Sequence, residues 1–265
     1  MTSEGAKLAP VPTEHGSDPE STELALWMGQ LLMDHGAESE RVEQGITACG
    51  VAFDCHWSAV LVTYDALFVA EHGEPTEVRR ARPRVVDMHM IEELSHLRHR
   101  ILEGVLSRLE LRDALAKIET APRHYSAQVT GLAIALACAA FSRLFQGDWG
   151  AFAVTFIGSG AAMFLRHFHA RRKPNRLIFV GASAFAAALI VGLLQRLTNI
   201  SHTPQAAYAA CALMVVPGVP AINAVQDLFR GYIGVALARI AETILVILAG
   251  TLGIVLGLAL IGAEL

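Results

Sequence analysis

Thr203-Pro-Gln-Ala-Ala-Tyr-Ala-Ala-Cys-Ala-Leu-Met-Val-Val-Pro-Gly-Val-Pro-Ala-Ile-Asn-Ala-Val-Gln226 contains no charged side chain, and two prolines and a glycine interrupt it about a dozen residues in. An uncharged apolar run of about 18–20 residues, as a helix, crosses the roughly 30 Å hydrocarbon core of a bilayer. Pro217 and Pro220 each remove a backbone donor and crowd the preceding turn, so the helix is expected to break or kink there. Within lipid, freed carbonyls persist only where neighbouring helices or a wet cavity satisfy them. Just beyond, Asn223, Asp227 and Arg230 fall at i, i+4 and i+7, one helical face, with Gln226 beside them. After a turn at Gly231, Arg239 and Glu242 are spaced to pair at i, i+3. If the next helix opens near Val235, Glu242 lies several residues inside a span and is the deeper acid. An acid inside a membrane is by default a proton carrier or substrate contact. The candidate pathway residues are therefore Pro217, Gly218, Pro220, Asn223, Asp227, Arg230, Arg239 and Glu242. The competing reading makes Asp227, Arg230 and Arg239 ordinary interfacial charges, with Glu242 neutralised by Arg239 in its own helix.

Four other charge-poor apolar runs, residues 126–142, 149–165, 177–194 and 243–263, bring the expected spans to five. Tyr125 and Trp149 suit interfacial positions, and Arg143 and Arg166 can snorkel. The connection Arg166-His-Phe-His-Ala-Arg-Arg-Lys-Pro-Asn-Arg176 carries five basic residues and no acid, which makes it cytoplasmic by the positive-inside rule. With that loop fixed, the segment before the first span and the connection holding Arg230 and Arg239 are also cytoplasmic, and the C-terminus emerges on the periplasmic side of an inner membrane. Gly158-Ser-Gly-Ala-Ala162, Gly181-Ala-Ser-Ala184 and the series Gly250, Gly253, Gly257 give small faces on which helices can pack closely, as a bundle or oligomer. Thr130, Thr155, Ser159 and Ser183 could line a polar path or bond back to their own helices.

Of the 265 residues 53% are hydrophobic and 17% charged, and residues 1–124 hold 33 of the 46 charged side chains. Two solvents are implied, water first and lipid second. Residues 1–20, rich in Pro, Glu and Ser, read as a disordered leader without a signal-peptide apolar region. Residues 21–124 read as a cytoplasmic α+β domain and residues 125–265 as the membrane domain. Apolar spacing predicts a helix over residues 22–35 stopped by Gly36, and a second from Glu38 or Ser39 to about Ala52. Strands follow at residues 60–64, 67–70 and 78–86, the last interrupted by Pro83, and then helices at residues 88–106 and 111–120. The fold class is thus an α-helical integral membrane protein, with five transmembrane helices of which one is proline-broken, preceded by a cytoplasmic α+β domain.

This acidic first half argues against nucleic-acid partners. His89, Glu92, His96 and His99 share one helix face, yet with arginines interleaved they read as a solvated surface, and no metal or other cofactor is expected. Cys49, Cys55, Cys138 and Cys211 show no CxxC spacing and read as small buried thiols. Phosphate-binding loops and nucleophile elbows are absent, so an enzyme is not expected.

The stretch Gly36-Ala-Glu-Ser-Glu-Arg-Val-Glu43 in a first helical hairpin, the strand-rich middle, the spans, and Val216-Pro-Gly-Val-Pro-Ala-Ile-Asn223 followed by Asp227 and Gly231 resemble the threonine/serine exporter family over about residues 22–260. In that family a cytoplasmic domain precedes the membrane half, and either one chain holds ten spans or two chains share them. Ending after five, this chain resembles the larger subunit of the split form, whose partner would be a small membrane protein of four or five spans. The resemblance implies export of a threonine- or serine-type amino acid, and the broken span with its buried acid adds coupling to the proton gradient. Succinate export and a membrane-anchored sensor are the alternatives.

Overall fold

The computed structural model describes residues 18–71, 74–81, 86–122, 124–170 and 175–262, which divide into two compact units between Thr120 and Ala121. Residues 1–17 of the expected leader, Pro83 and its neighbours, and Arg171, Arg172 and Lys173 of the basic loop lie outside the described residues.

The first unit runs α1 (Pro19–Asp34), α2 (Ser39–Ala52), β1 (Ala59–Val62), β2 (Ala66–Glu71), β3 (Glu74–Arg80), α3 (Met88–Leu102) and α4 (Arg108–Thr120). Helix α1 begins inside the stretch read as leader, because Pro19 at its first position loses no hydrogen bond there and presets the helical φ. Gly36 ends the α1 turn at φ +86°. Its N–H donates to the Met33 carbonyl at 3.1 Å, and that of Ala37 to Leu32 at 3.0 Å, the paired bonds of a left-handed helix stop. The strands form an antiparallel sheet in the order β1-β2-β3. Strand β3 starts and ends earlier than its apolar residues suggest: Val78 pairs with Phe68, and register with β2, not hydropathy, sets its limits. Leu24, Met28 and Leu32 of α1 pack with Ile46, Leu67, Val69, Leu94, Ile101, Leu111 and Leu115 in one core.

In the second unit the long helices α5 (Ala127–Leu144), α6 (Trp149–Ala170) and α7 (Arg176–Thr198) are followed by a broken segment and then by α10 (Ile233–Leu260). That segment comprises α8 (Pro204–Cys211), a 3-10 turn (Ala212–Met214) and α9 (Gly218–Phe229). Among the described residues, four helices are long and apolar enough to cross a membrane, or five if the broken pair, bent by 60°, counts as one span. Only α10 departs strongly from its apolar run: it starts at Ile233, ten residues before the uncharged stretch at 243, and so carries Arg239 and Glu242 inside the helix. Large apolar side chains such as Val129, Leu132, Ile178, Leu252 and Leu256 lie on the unit's outside, where a bilayer would cover them.

The small faces meet inside the chain. A Cβ on Gly253 of α10 would overlap the Gly181 carbonyl of α7, and one on Gly257 would come within 2.8 Å of the Phe185 carbonyl. Without side chains there, the two backbones approach closely along several turns. At one end of the unit, Asp148 joins the α5–α6 and α7–α8 connections. Its carboxylate accepts from the backbone N–H groups of Ala151 and His202, both at 2.6 Å, and from the Ser201 hydroxyl at 2.8 Å.

Candidate functional site

Chain geometry at the break follows from which turn each proline enters. Pro217 is the residue before α9, with Val215 and Val216 outside any helix, whereas Pro220 lies in the first turn of α9. A first-turn N–H has no intrahelical partner to lose, so Pro217 makes the break and Pro220 is accommodated by it. Gly218 is exposed, and Pro217 and Pro220 are half-buried. Val215 of the unwound stretch seats on α10 where Gly250 has no Cβ, since a methyl there would overlap the Val215 side chain.

Helix α9 then runs to Phe229, and the chain reverses through Gly231 at φ +89°, with the Tyr232 N–H donating to the Asp227 carbonyl at 2.9 Å. The reversal lays α9 against α10. Asn223 and Asp227, one turn apart, point into that contact with 8% and 0% exposure. Two turns into α10, Arg239 reaches back, and its Nη1 lies 3.1 Å from Asp227 Oδ2. Both partners of this ion pair are buried. A charge taken out of water is held only by a partner and hydrogen bonds, and removing one partner strands the other.

This arrangement corrects the sequence reading at two positions. Arg239 is directed to Asp227 rather than to Glu242, because the α9–α10 hairpin brings the facing helix closer than the next turn of its own. Glu242 forms an ion pair with Arg176 at the start of α7, a residue read above only as part of the topology-setting basic loop. Asp227 is the more buried of the two acids: the Glu242 side chain is 24% exposed, that of Asp227 not at all. Arg230, which caps α9, is exposed, unlike the buried Asn223 and Asp227.

The helix hydroxyls divide in two. Thr130 donates to the Ser126 carbonyl at 3.1 Å and Ser183 to Phe179 at 2.7 Å, the local back-bonding usual for these residues. Thr155 and Ser159 of α6 do not; both are fully buried, and the Ser159 hydroxyl lies beside the thiols of Cys138 and Cys211. A cavity of about 490 Å³ between α5 and α6 is lined by small and apolar residues, with Gln128 its one polar side chain, so it offers no charge to a carboxylate.

In the first unit, His96 and Glu92 approach to 3.9 Å with both side chains about 70% exposed, and among the described residues no three His, Cys, Asp or Glu side chains converge as a metal site. The four cysteines are free thiols. Burial pushes the Cys49 thiol up to about 12 and that of Cys55 up to about 11, which leaves neither a ready nucleophile.

The threonine/serine exporter (ThrE) family model matches residues 23–261. The chain is 34% identical over 250 residues to the "Probable succinate transporter subunit YjjP" of Escherichia coli K12, covering 91% of this chain and 94% of that protein. It is also 34% identical over 244 residues to the protein of the same name in Klebsiella aerogenes, with the same coverage. A "Probable threonine/serine exporter" of Mycobacterium tuberculosis is 24% identical over 241 residues, which span 89% of this chain but 43% of the relative. No solved structure matches.

Proposed function

The chain belongs to the threonine/serine exporter family and is a membrane transporter, and from that premise we propose that it is one subunit of a proton-coupled secondary exporter of small carboxylate-bearing metabolites. The buried Asp227–Arg239 pair carries the reading. Arg239 is the group able to receive a substrate carboxylate through paired N–H donors. While Asp227 is ionised it occupies that guanidinium. When Asp227 takes a proton, Arg239 is released to the substrate, and when the substrate leaves, Asp227 gives the proton up and closes on Arg239 again. The Asp227 carboxylate and the substrate carboxylate thus compete for one buried cation, so that protonation of Asp227 favours substrate binding and couples the two movements. Asn223, one turn from Asp227, supplies neutral hydrogen-bonding groups beside the exchange. The broken helix ahead of it supplies the unwound backbone by which transporters commonly form a path at mid-membrane.

Two substrate classes fit this exchange. The relatives of nearly equal length are named for succinate, which supports a dicarboxylate. The family name and the mycobacterial relative support threonine or serine. A partner is supported by the word subunit in the closer names and by the mycobacterial relative, which is more than twice as long as the part matched; it would be a small membrane protein of the same family. The positive-inside count favours an inner-membrane placement with the first unit cytoplasmic and the C-terminus periplasmic. The test is export of succinate, threonine and serine from cells lacking, then overproducing, both subunits. Asp227→Asn should abolish export and its pH dependence, whereas Glu242→Gln should retain both; normal, pH-dependent export by Asp227→Asn would overturn the assignment.

A further inference from the structure

The arginines of the second unit are satisfied unequally. Arg143 and Arg196 donate to the backbone carbonyls of Gly147 and Ile261, while Arg239 and Arg176 face the acids Asp227 and Glu242. Among the described residues Arg166, near the end of α6, has neither an acid nor a carbonyl as partner. It is half-buried, and its guanidinium carbon sits 5.3 Å over the Phe179 ring of α7, close enough to Arg176 for the two charges to repel. Arg176 is the first residue of α7, where a cation opposes the helix dipole. Two guanidiniums and a helix start thus share one carboxylate, that of Glu242, and a positive charge is left over. Natural chains break such local rules chiefly at functional sites. Beside this group an apolar lane opens. On α10, Leu245, Leu252 and Leu256 follow Glu242 at i+3, i+10 and i+14, one side of the helix, and at least half of each is exposed.

A soluble anion needs only the charge, whereas a phospholipid brings a phosphate and acyl chains together. We propose that Arg166 and Arg176 bind the phosphodiester of an anionic phospholipid whose acyl chain lies along Leu245, Leu252 and Leu256. Guanidinium forks match phosphate oxygens through paired N–H donors, and basic pockets between membrane helices are a recurring place for acidic headgroups. One phosphodiester charge balances the excess. A zwitterionic headgroup adds an ammonium of its own, and Glu242, the one acid of the group, is already paired with Arg176. The lipid site is separate from the carboxylate exchange at Arg239, goes beyond the proposed export and can fail without it.

Thermal unfolding of the purified full-length protein tests the site in detergent micelles doped with dioleoylphosphatidylglycerol or, at equal mole fraction, dioleoylphosphatidylcholine. A ligand of the native state raises the midpoint. The rise should be larger with phosphatidylglycerol, and the excess should shrink as added salt screens the contact. Arg166→Gln should weaken the apparent affinity for phosphatidylglycerol roughly tenfold, and Arg166→Lys, which keeps the charge without the fork, should lose less. Arg176→Gln also strands Glu242, so it is read through the lipid-dependent rise and not through the absolute midpoint; that rise should fall as in Arg166→Gln. Arg196→Gln, which removes an equal charge bonded to a carbonyl, should keep the full preference. Glycerol 3-phosphate, a phosphate without acyl chains, should give no rise. Equal rises with the two lipids, a preference retained by Arg166→Gln, or an equal rise with glycerol 3-phosphate would overturn the proposal.

Discussion

Arg239 Nη1 lies 3.1 Å from Asp227 Oδ2, with the two side chains 9% and 0% exposed. Breaking a buried pair by removing one partner costs about 3–5 kcal/mol, whereas replacing both by apolar residues of similar volume is often neutral. Asp227→Ala and Arg239→Met should each lower the unfolding midpoint in detergent strongly, while Asp227→Leu with Arg239→Met should recover most of the loss. Export should fail in all three. A double variant no more stable than the singles would mean that the pair does not compensate itself.

The break at Pro217 and the importance of the charges after it were legible because proline geometry and the rarity of membrane charges act locally. The pairing was not. Spacing along α10 points Arg239 at Glu242, and only the reversal at Gly231 makes Asp227 the nearer acid. The partner of Glu242 escaped for a related reason, since spacing along one helix cannot reveal Arg176, supplied by another. The first unit divided likewise: the helix stop at Gly36 was readable from one residue type, but the ends of β3 depend on pairing with β2, which no single segment encodes. Of the four helix hydroxyls, sequence could name the two fates but not assign them.

Helix α10 offers a paired test of close packing. Gly253→Ala places a methyl against the Gly181 carbonyl, and overpacking of this kind costs about 1–3 kcal/mol. Gly234→Ala meets nothing within 4 Å, and at such a site alanine gains about 0.4–1 kcal/mol over glycine. The first variant should unfold earlier and the second later than the unsubstituted protein. Equal midpoints would show that α7 and α10 separate easily.

Gly36 tests whether the Gly-Ala-Glu-Ser-Glu-Arg-Val-Glu stretch acts structurally. At φ +86° a side chain is strained, and its Cβ would meet Val86 Cγ2 at 3.0 Å. Left-handed backbone costs a non-glycine residue about 1–2 kcal/mol. Gly36→Ala should therefore lower stability by at least that amount, and Gly36→Asn, better tolerated in this region, by less. Arg41→Ala removes the 3.0 Å ion pair with Glu38 and should change stability by about 1 kcal/mol or less, since the Arg41 end of the pair is open to solvent and such pairs contribute little. A larger loss from Arg41→Ala than from Gly36→Ala would contradict this ranking.

Asp148 gives a pH-dependent prediction whose sign is fixed by its partners. The N–H of Ala151 and the groups of His202 and Ser201 stabilise the carboxylate, holding its pKa down at about 2, below the value near 3.9 of an unfolded aspartate. A depressed native value means that the stabilisation is complete above about pH 4 and fades as pH falls through 2. The clasp between the α5–α6 and α7–α8 connections should loosen in that acid window, read as earlier loss of protection in the 145–150 and 199–203 segments by hydrogen exchange. Asp148→Asn removes the titrating group, so its contribution to the acid dependence should vanish. Asp148→Ala also removes the cap on the Ala151 N–H, which costs about 0.5–2 kcal/mol at neutral pH. If Asp148→Asn retained the full acid sensitivity of these segments between pH 4 and 2, another carboxylate would have to hold the two connections together.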